Sequence, residues 1–197
     1  MDDELEMSVE VKLVDSVEEL KGIKRLHDKN LKKNLTPEQQ AEQGFVTFEY
    51  DLDFLEAINK VHPSVIAVDQ SDVVGYALVV TRESQRLHPL ITEFVRHLSR
   101  IEYKGQLIDQ SSFCLVGQLC VAQTHTGQGL VQRMYQAYRE QHSAEFDYLV
   151  TDVDAQNVRS LKAHLKTGFE VVGSLAHQGS RWDVILWDWN SAKATET

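Results

Sequence analysis

The sequence LCVAQTHTGQGLVQRMYQAYREQ, residues 119–141, joins the end of an apolar strand to an amphipathic helix through a turn that contains Gly127 and Gly129. The first backbone amides of a helix have no partner within the helix, and the helix dipole makes this end positive. Glycines in such a turn let an anion approach the amides without side-chain bulk. The stretch therefore predicts an anion site at the start of the helix. In the alternative interpretation, the two glycines only permit a tight turn.

A second informative segment is NVRSLKAHLKTGF, residues 157–169, which follows the next predicted strand. At about 100° per residue, Asn157, Ser160, Leu161, His164 and Gly168 fall on one side of a helix. One face of this helix can therefore meet the same ligand as the Gly-rich turn.

The rest of the chain alternates strand-like and helix-like segments. Start signals at Ser16 and Thr36 precede the first two helices, and Gly44 ends the second. The connection from residues 113–121 through a helix to residues 148–153 must be a parallel, right-handed crossover. We therefore predict an α/β (α+β) fold with a mixed, mostly antiparallel twisted sheet flanked by helices. The predicted strands are residues 8–14, 64–69, 73–81, 113–121, 148–153, 169–174 and 181–189, and the predicted helices are residues 17–29, 37–43, 52–59, 87–101, 129–141 and 157–167.

Length and composition favour a single globular domain. The chain has 197 residues with 42% hydrophobic content, enough for one sizeable core. No repeat or linker interrupts the pattern. We therefore predict one domain over residues 1–190, with residues 87–101 as a helical insertion and residues 191–197 as a disordered tail.

The charge and the cysteines restrict the partners and the compartment. The net charge is −10, which disfavours binding to nucleic acid or to an anionic membrane and suits either cationic amines or simple solubility. The acidic start and the lack of a long apolar run indicate a cytoplasmic protein with no membrane partner.

Cys114 and Cys120 lie in one predicted strand, roughly 20 Å apart, so a disulfide between them is excluded.

The two quoted segments resemble the GNAT N-acetyltransferase superfamily. Its first signature reads Gln or Arg, two residues, Gly, one residue, then Gly or Ala, and falls on residues 126–131. Gly129 matches, whereas Thr126 replaces the Arg or Gln and Val131 replaces the last small residue. The second signature runs from Asn157 to Gly168 and Phe169. The resemblance covers residues 9–189 and is most specific in the C-terminal half.

The resemblance implies acetyl-CoA as cosubstrate and assigns a set of cofactor-binding residues. The strands at residues 113–121 and 148–153 splay apart in this family, which frees backbone groups for the thioester and the pantetheine. Arg133, Arg159 and Lys162 are near enough in sequence to compensate for the missing Arg at position 126. The residues assigned to coenzyme A are Leu119, Cys120 and Val121 for the pantetheine, Thr126, Gly127, Gln128, Gly129, Leu130 and Val131 for the diphosphate, and Asn157 and Ser160 for the pantetheine arm.

The resemblance also suggests the catalytic groups. His164 takes the position of a common Tyr that protonates the departing thiolate, so it is our candidate general acid, with a packing role as the alternative. Gln118 lies where many relatives have a carboxylate base, and it cannot take a proton. Glu49, Asp109 and Asp152 are acidic candidates for the base, each interpreted as a solvated surface group. Cys120 is interpreted as a core residue, and no metal is expected.

We therefore predict an N-acetyltransferase that moves an acetyl group from acetyl-CoA to a primary amine of a small molecule or peptide by direct attack. Two alternatives stay open: a non-catalytic acyl-CoA-binding sensor, and a transferase for longer acyl groups. Trp187 and Trp189 share a strand face and either pack internally or join a homodimer contact. The aromatic residues at 45, 48, 50, 76 and 182 and the helix at residues 87–101 either surround the acceptor pocket or belong to the core.

Overall fold

The computed structural model describes residues 9–177 and 179–190. In this part of the chain a seven-stranded sheet has the order β1-β2-β3-β6-β7-β9-β8, and β4 and β5 form a separate two-stranded hairpin. The strands are β1 (Glu10–Leu13), β2 (Val65–Asp69), β3 (Asp72–Val80), β4 (Glu102–Tyr103), β5 (Gln106–Leu107), β6 (Phe113–Val121), β7 (Tyr148–Asp154), β8 (Glu170–His177) and β9 (Ser180–Asp188).

The sheet is antiparallel except between β6 and β7, which pair in parallel. Helix α5 connects these two strands. The predicted mixed, mostly antiparallel sheet with one parallel crossover is therefore confirmed. The hairpin of β4 and β5 was not predicted from the sequence, because each strand is only two residues long. Ser8 and the predicted tail at residues 191–197 lie outside the described residues.

Six helices cover the sheet in the described part of the chain. Ser16 caps α1 and Thr36 caps α2 with a full capping box to Gln39, as the sequence indicates. The helix predicted at residues 87–101 is shorter, because Pro89 takes its first turn and the chain leaves the helix after Leu98. The helices are α1 (Val17–Asn30), α2 (Pro37–Gln43), α3 (Leu52–Val61), α4 (Pro89–Leu98), α5 (Leu130–His142) and α6 (Val158–Thr167).

The core lies on both faces of the sheet. Along β3, Tyr76, Leu78 and Val80 belong to the cluster that contains the buried residues of α1, α3 and α4, while Ala77 and Val79 belong to the cluster with α5. This period of two is the pattern expected of a strand covered on both faces. The sheet is therefore the middle layer between two sets of helices.

The cysteines and the C-terminal tryptophans belong to this core. Cys114 and Cys120 are both free and buried, in agreement with the excluded disulfide. Trp189 is fully buried, and Trp187 packs against Phe169 at a ring distance of 5.8 Å. Internal packing accounts for these two tryptophans. No helix within the described residues has the length and apolar character needed to cross a membrane.

Candidate functional site

The site begins where β6 and β7 separate. The two strands pair only from Phe113 opposite Tyr148 to Leu115 opposite Val150. On its other side, β6 shifts register against β3, because Ala77 faces Leu119 whereas Val79 faces Val116. One extra residue on β6 makes a β-bulge, which bends the strand. Beyond Leu115 the β7 side of β6 is therefore free of sheet pairing, as the family resemblance implies.

Three adjacent spaces follow this separation across the sheet. A groove of about 320 Å³ lies between the end of β6, the turn before α5 and the face of α6. A neck of about 60 Å³ lies between β6 and β7, and a side cavity of about 280 Å³ lies beneath α4. Leu119 lines both the groove and the neck, while Gly117 and Asp152 line both the neck and the side cavity. The neck therefore lies between the groove and the side cavity and shares lining residues with both.

The Gly-rich turn lines the groove. Gly127 and Gly129 have φ angles of 81° and 71°, which favour glycine, and a Cβ at either position would meet nothing within 4 Å. Gly129 is the N-cap of α5 and supplies no side-chain cap, so the first amides of this helix need another partner. The empty space and the unsatisfied amides fit the diphosphate of coenzyme A. Of the six residues predicted here, Thr126, Gly127, Gly129, Leu130 and Val131 line the groove, whereas the exposed Gln128 does not.

The predicted strand residues also line the groove. Leu119, Cys120 and Val121 form its wall along the β6 edge, and Leu119 continues into the neck. Burial raises the pKa of the Cys120 thiol to about 12, so this side chain is no nucleophile at neutral pH. This agrees with its interpretation as a core residue. The backbone of this edge, facing no strand, is what a bound ligand can contact.

The basic residues of the groove come from α6. Arg159, Lys162 and Lys166 line it, and Arg159 also donates to the Glu42 carbonyl oxygen over 2.5 Å. Arg133 was expected to help compensate for the missing Arg at position 126. It instead donates to the Val9 carbonyl oxygen and does not line the groove. The cations available to phosphate groups in the groove are therefore those of α6.

Asn157 uses its side chain within the protein. Its Oδ1 accepts the Ser160 N–H at 3.3 Å and so caps α6, while its Nδ2 donates to the Phe45 carbonyl oxygen over 2.9 Å. This second bond holds the segment after Gly44 across the entrance to the neck. Both polar ends are therefore engaged, and each can form one further hydrogen bond, through the second hydrogen on Nδ2 or the second lone pair on Oδ1. Ser160 lines both the groove and the neck.

His164 is buried, with 3% of its surface exposed. Its Nδ1 lies 2.8 Å from the Ser160 carbonyl oxygen, which can only accept, so Nδ1 carries the proton. Its Nε2 then accepts the Tyr135 hydroxyl over 2.7 Å. Burial lowers the pKa of His164 to about 4. At neutral pH the ring is uncharged and both nitrogens are hydrogen-bonded within the protein, which favours the packing alternative, while the residue also lines the neck.

Asp152 is the acidic candidate that lies inside the site. It is half-buried on β7 and lines both the neck and the side cavity. No salt bridge reaches it from residues 9–177 or 179–190. Burial raises the pKa of this carboxyl to about 7. Its interpretation as a solvated surface group is wrong, because the splayed strands place it inside the site. Glu49, by contrast, is exposed and pairs with Lys33 over 2.5 Å.

Gln118 is fixed in a buried polar network behind the bulge. His27 Nε2 accepts the Tyr50 N–H at 3.2 Å, so His27 Nδ1 donates to Gln118 Oε1 over 2.8 Å. The Tyr76 hydroxyl donates to the same oxygen over 2.7 Å, and Gln118 Nε2 donates to the Phe48 carbonyl oxygen over 3.1 Å. The network ties the bulge of β6 to three other parts of the chain. Gln118 is therefore a residue that positions the bulge.

The aromatic candidates divide between the site and the core. Phe48 and Tyr50 line the side cavity, and Trp182 lines the neck, where its ring stacks on Phe48 at 5.2 Å. Phe45 lines the groove, whereas Tyr76 is fully buried in the network around Gln118. Helix α4 supplies one wall of the side cavity. No three His, Cys, Asp or Glu side chains of the described part of the chain come together as a set of metal ligands.

Comparison with protein families gives one match. The family model described as the acetyltransferase (GNAT) family matches residues 29–169, well over half of the chain. The match includes the Gly-rich turn, the splayed strands and α6. No curated protein sequence matches the chain closely enough to count as a relative.

Comparison with solved structures shows the same fold. The NatC complex bound to Gag peptide and CoA contains a chain with a TM-score of 0.63 and 14% identity, covering 92% of this chain and 99% of that one. A putative acetyltransferase from Salmonella typhimurium with acetyl-CoA has a TM-score of 0.60 and 13% identity, over 92% and 94%. Arabidopsis thaliana NAA60 in complex with acetyl-CoA has a TM-score of 0.59 and 13% identity, over 92% and 99%.

Proposed function

The chain belongs to the GNAT acetyltransferase family, and from this premise we propose that it transfers the acetyl group of acetyl-CoA to a primary amine of a small molecule or peptide by direct attack. The observation that carries the proposal is the adjacency of the three spaces, in which the neck shares lining residues with both the groove and the side cavity. Asp152 and Gly117 line both the neck and the side cavity. A thioester that enters from the groove and an amine that enters from the side cavity would meet at this point.

The groove residues would hold the cosubstrate. The amides after Gly129 and the positive end of α5 would bind the diphosphate, with Lys162 and Lys166 adding positive charge from α6. The pantetheine would follow the β6 edge along Leu119 to Val121 toward the neck. Structural neighbours bound to CoA or acetyl-CoA support this choice of cosubstrate.

Asp152 is our candidate general base. In direct attack, the amine nitrogen forms a bond to the thioester carbonyl carbon and loses a proton, and the carbon–sulfur bond breaks with the electron pair on sulfur. An ionised Asp152 would accept the amine proton, and backbone N–H groups of the unpaired β6 edge would stabilise the negative carbonyl oxygen. A carboxyl whose pKa is near 7 is well suited to exchange a proton at neutral pH. The thiolate would take its proton from solvent.

The experiment that tests the proposal measures thiol release from acetyl-CoA with a panel of primary amines, and identifies acetylated amines by mass spectrometry. Amine-dependent thiol release with a matching acetylated product is the expected result. A series of acyl-CoA chain lengths in competition with acetyl-CoA tests the transferase for longer acyl groups.

One observation favours a second candidate, the non-catalytic acyl-CoA sensor. Gln118 takes the place of the base in many relatives, and its side chain is held in hydrogen bonds to His27, Tyr76 and Phe48. A sensor would bind CoA saturably and release no thiol above the amine-free control with any amine of the panel. That result would contradict the transferase and support the sensor.

A further inference from the structure

The side cavity carries two arginines on one wall. Arg96 lies in the last turn of α4 and Arg100 follows the end of this helix, so they are four residues apart on neighbouring turns. Both side chains are exposed and line the side cavity. Within residues 9–177 and 179–190, neither guanidinium forms a salt bridge or a side-chain hydrogen bond. Two guanidinium groups are therefore available to a ligand in this cavity.

The charges of the cavity are divided between its two ends. Asp152 lines the neck as well as the cavity, whereas Arg96, Arg100 and Glu93 line the cavity alone. Away from the neck, two guanidinium groups therefore outnumber one carboxylate. The net charge of −10 for the chain suits either cationic amines or simple solubility, whereas the two guanidinium groups in this cavity favour an anion locally.

Much of the remaining wall of the cavity is formed by apolar and aromatic side chains, including Phe48, Ile91, Phe94 and Leu175. His177 lines the same cavity, and its Nε2 is buried without a hydrogen-bond partner among the described residues. A ligand that fills the cavity can supply that missing partner. The cavity thus combines a carboxylate that also lines the neck, apolar walls and two guanidinium groups that do not line the neck.

We propose that the acceptor of this transferase is a primary amine that also carries an anionic group, with the amine at Asp152 and the anion at Arg96 and Arg100. The inference rests on the proposed function, because it takes the side cavity as the acceptor site. The anion is a carboxylate or a phosphate, since guanidinium groups bind both through paired hydrogen bonds. The acceptor is either a small amino acid-like molecule or a peptide with an acidic residue near its N-terminus.

The test uses pairs of amines that differ only in the anion. β-Alanine is compared with β-alaninamide, and peptides with Asp near the N-terminus are compared with the same peptides carrying Asn. We expect the anionic member to have a kcat/KM about 10-fold or more above its neutral partner, as one charge-assisted hydrogen bond predicts. The small molecules and the peptides distinguish the two sources of the acceptor. Equal or better use of the neutral member in both series would overturn the inference.

Variants assign the preference to the two arginines. In the double variant Arg96→Gln and Arg100→Gln, the preference for the anionic member should disappear, because its kcat/KM should fall about 10-fold or more relative to that of the neutral member. Arg86→Gln is the matched control, because Arg86 is exposed next to α4 but does not line the cavity. A preference that survives the double variant would overturn the assignment.

Binding measurements separate this inference from the proposed function. Calorimetry of the same pairs, on protein saturated with CoA, requires no turnover. If no amine is acetylated but the anionic members bind through Arg96 and Arg100, the anion site stands, whereas the transferase and the role of these molecules as acceptors are contradicted. If amines are acetylated without regard to charge, the transferase stands and the inference falls. If the anionic members neither bind better nor react faster, the inference falls in either case.

Discussion

The Tyr135 hydroxyl donates to Nε2 of His164 over 2.7 Å, inside the core between α5 and α6. Nδ1 of the same ring donates to the Ser160 carbonyl oxygen over 2.8 Å. The imidazole therefore joins two helices and presents no free nitrogen to the neck. A histidine at this place in the sequence does not have to repeat the chemistry of the tyrosine that many family members have there.

The hydrogen bond between Tyr135 and His164 predicts that replacing His164 lowers the stability of the protein without a large loss of activity. His164→Phe leaves the Tyr135 hydroxyl buried without an acceptor, so it should cost about 1–3 kcal/mol of unfolding free energy. Adding Tyr135→Phe removes both partners and should recover part of this loss. Denaturant unfolding of both single variants and the double variant measures the coupling between His164 and Tyr135.

We expect turnover by His164→Phe to change less than about 10-fold. A roughly 100-fold slower turnover with unchanged CoA affinity would restore His164 as the acid.

Asp152→Asn should abolish most of the activity and leave CoA binding intact. Removing a general base typically slows turnover by about 10²- to 10⁴-fold. In the wild type, kcat/KM should rise with pH as Asp152 loses its proton, with a midpoint near its pKa of about 7. Asp72→Asn is the matched control, since Asp72 is exposed on β3 and lines none of the three spaces. Full activity of Asp152→Asn would remove the base from the mechanism.

The same substitution has a predicted effect on stability. Because the pKa of Asp152 is raised on folding, the folded state binds more protons, and the wild type loses stability as pH rises from about 4 to about 7. Asn carries no such charge. Asp152→Asn should therefore melt at a higher temperature than the wild type at pH 8, and the difference should shrink at pH 4. A lower melting temperature at pH 8 would argue against a destabilised carboxylate.

The sequence predicts the fold well where local signals and burial agree. Several local sequence signals correspond to the structure found at the same residues. They are the positive φ angles at Gly127 and Gly129, the alternating apolar residues of β3 and the helix caps at Ser16 and Thr36. The short strands β4 and β5 carry no such periodicity, because a two-residue strand shows less than one full period.

The site is only partly predictable because its decisive contacts are long-range. From the sequence alone Asp152 is interpreted as a surface residue, because the space beside it exists only where β6 and β7 separate in the folded protein. His164 and Tyr135 are 29 residues apart, so no local sequence pattern predicts the hydrogen bond between them. Asn157 likewise bonds the carbonyl oxygen of Phe45, which is 112 residues away. One local signal was available for Asn157, since Asn is a preferred helix N-cap.

The lysines of α6 should contribute electrostatically to CoA binding. Lys162 and Lys166 are exposed and line the groove. Replacing both with Gln should weaken CoA binding about 5- to 30-fold at low salt, and the difference should shrink as salt screens the phosphates. Lys29→Gln with Lys60→Gln is the control, because both lysines are exposed and line none of the three spaces. An effect of equal size in the control would indicate a general charge effect.

The central claim is that the amides after Gly129 bind the diphosphate of coenzyme A, and calorimetry of CoA with Gly129→Val tests it most directly. Gly105→Val is the matched control, because Gly105 also has a positive φ, 82°, and open space around it, but does not line the groove. Both variants should lose similar stability from the left-handed backbone. The account predicts that Gly129→Val loses CoA binding while Gly105→Val keeps the wild-type affinity. Wild-type CoA affinity in folded Gly129→Val would contradict it.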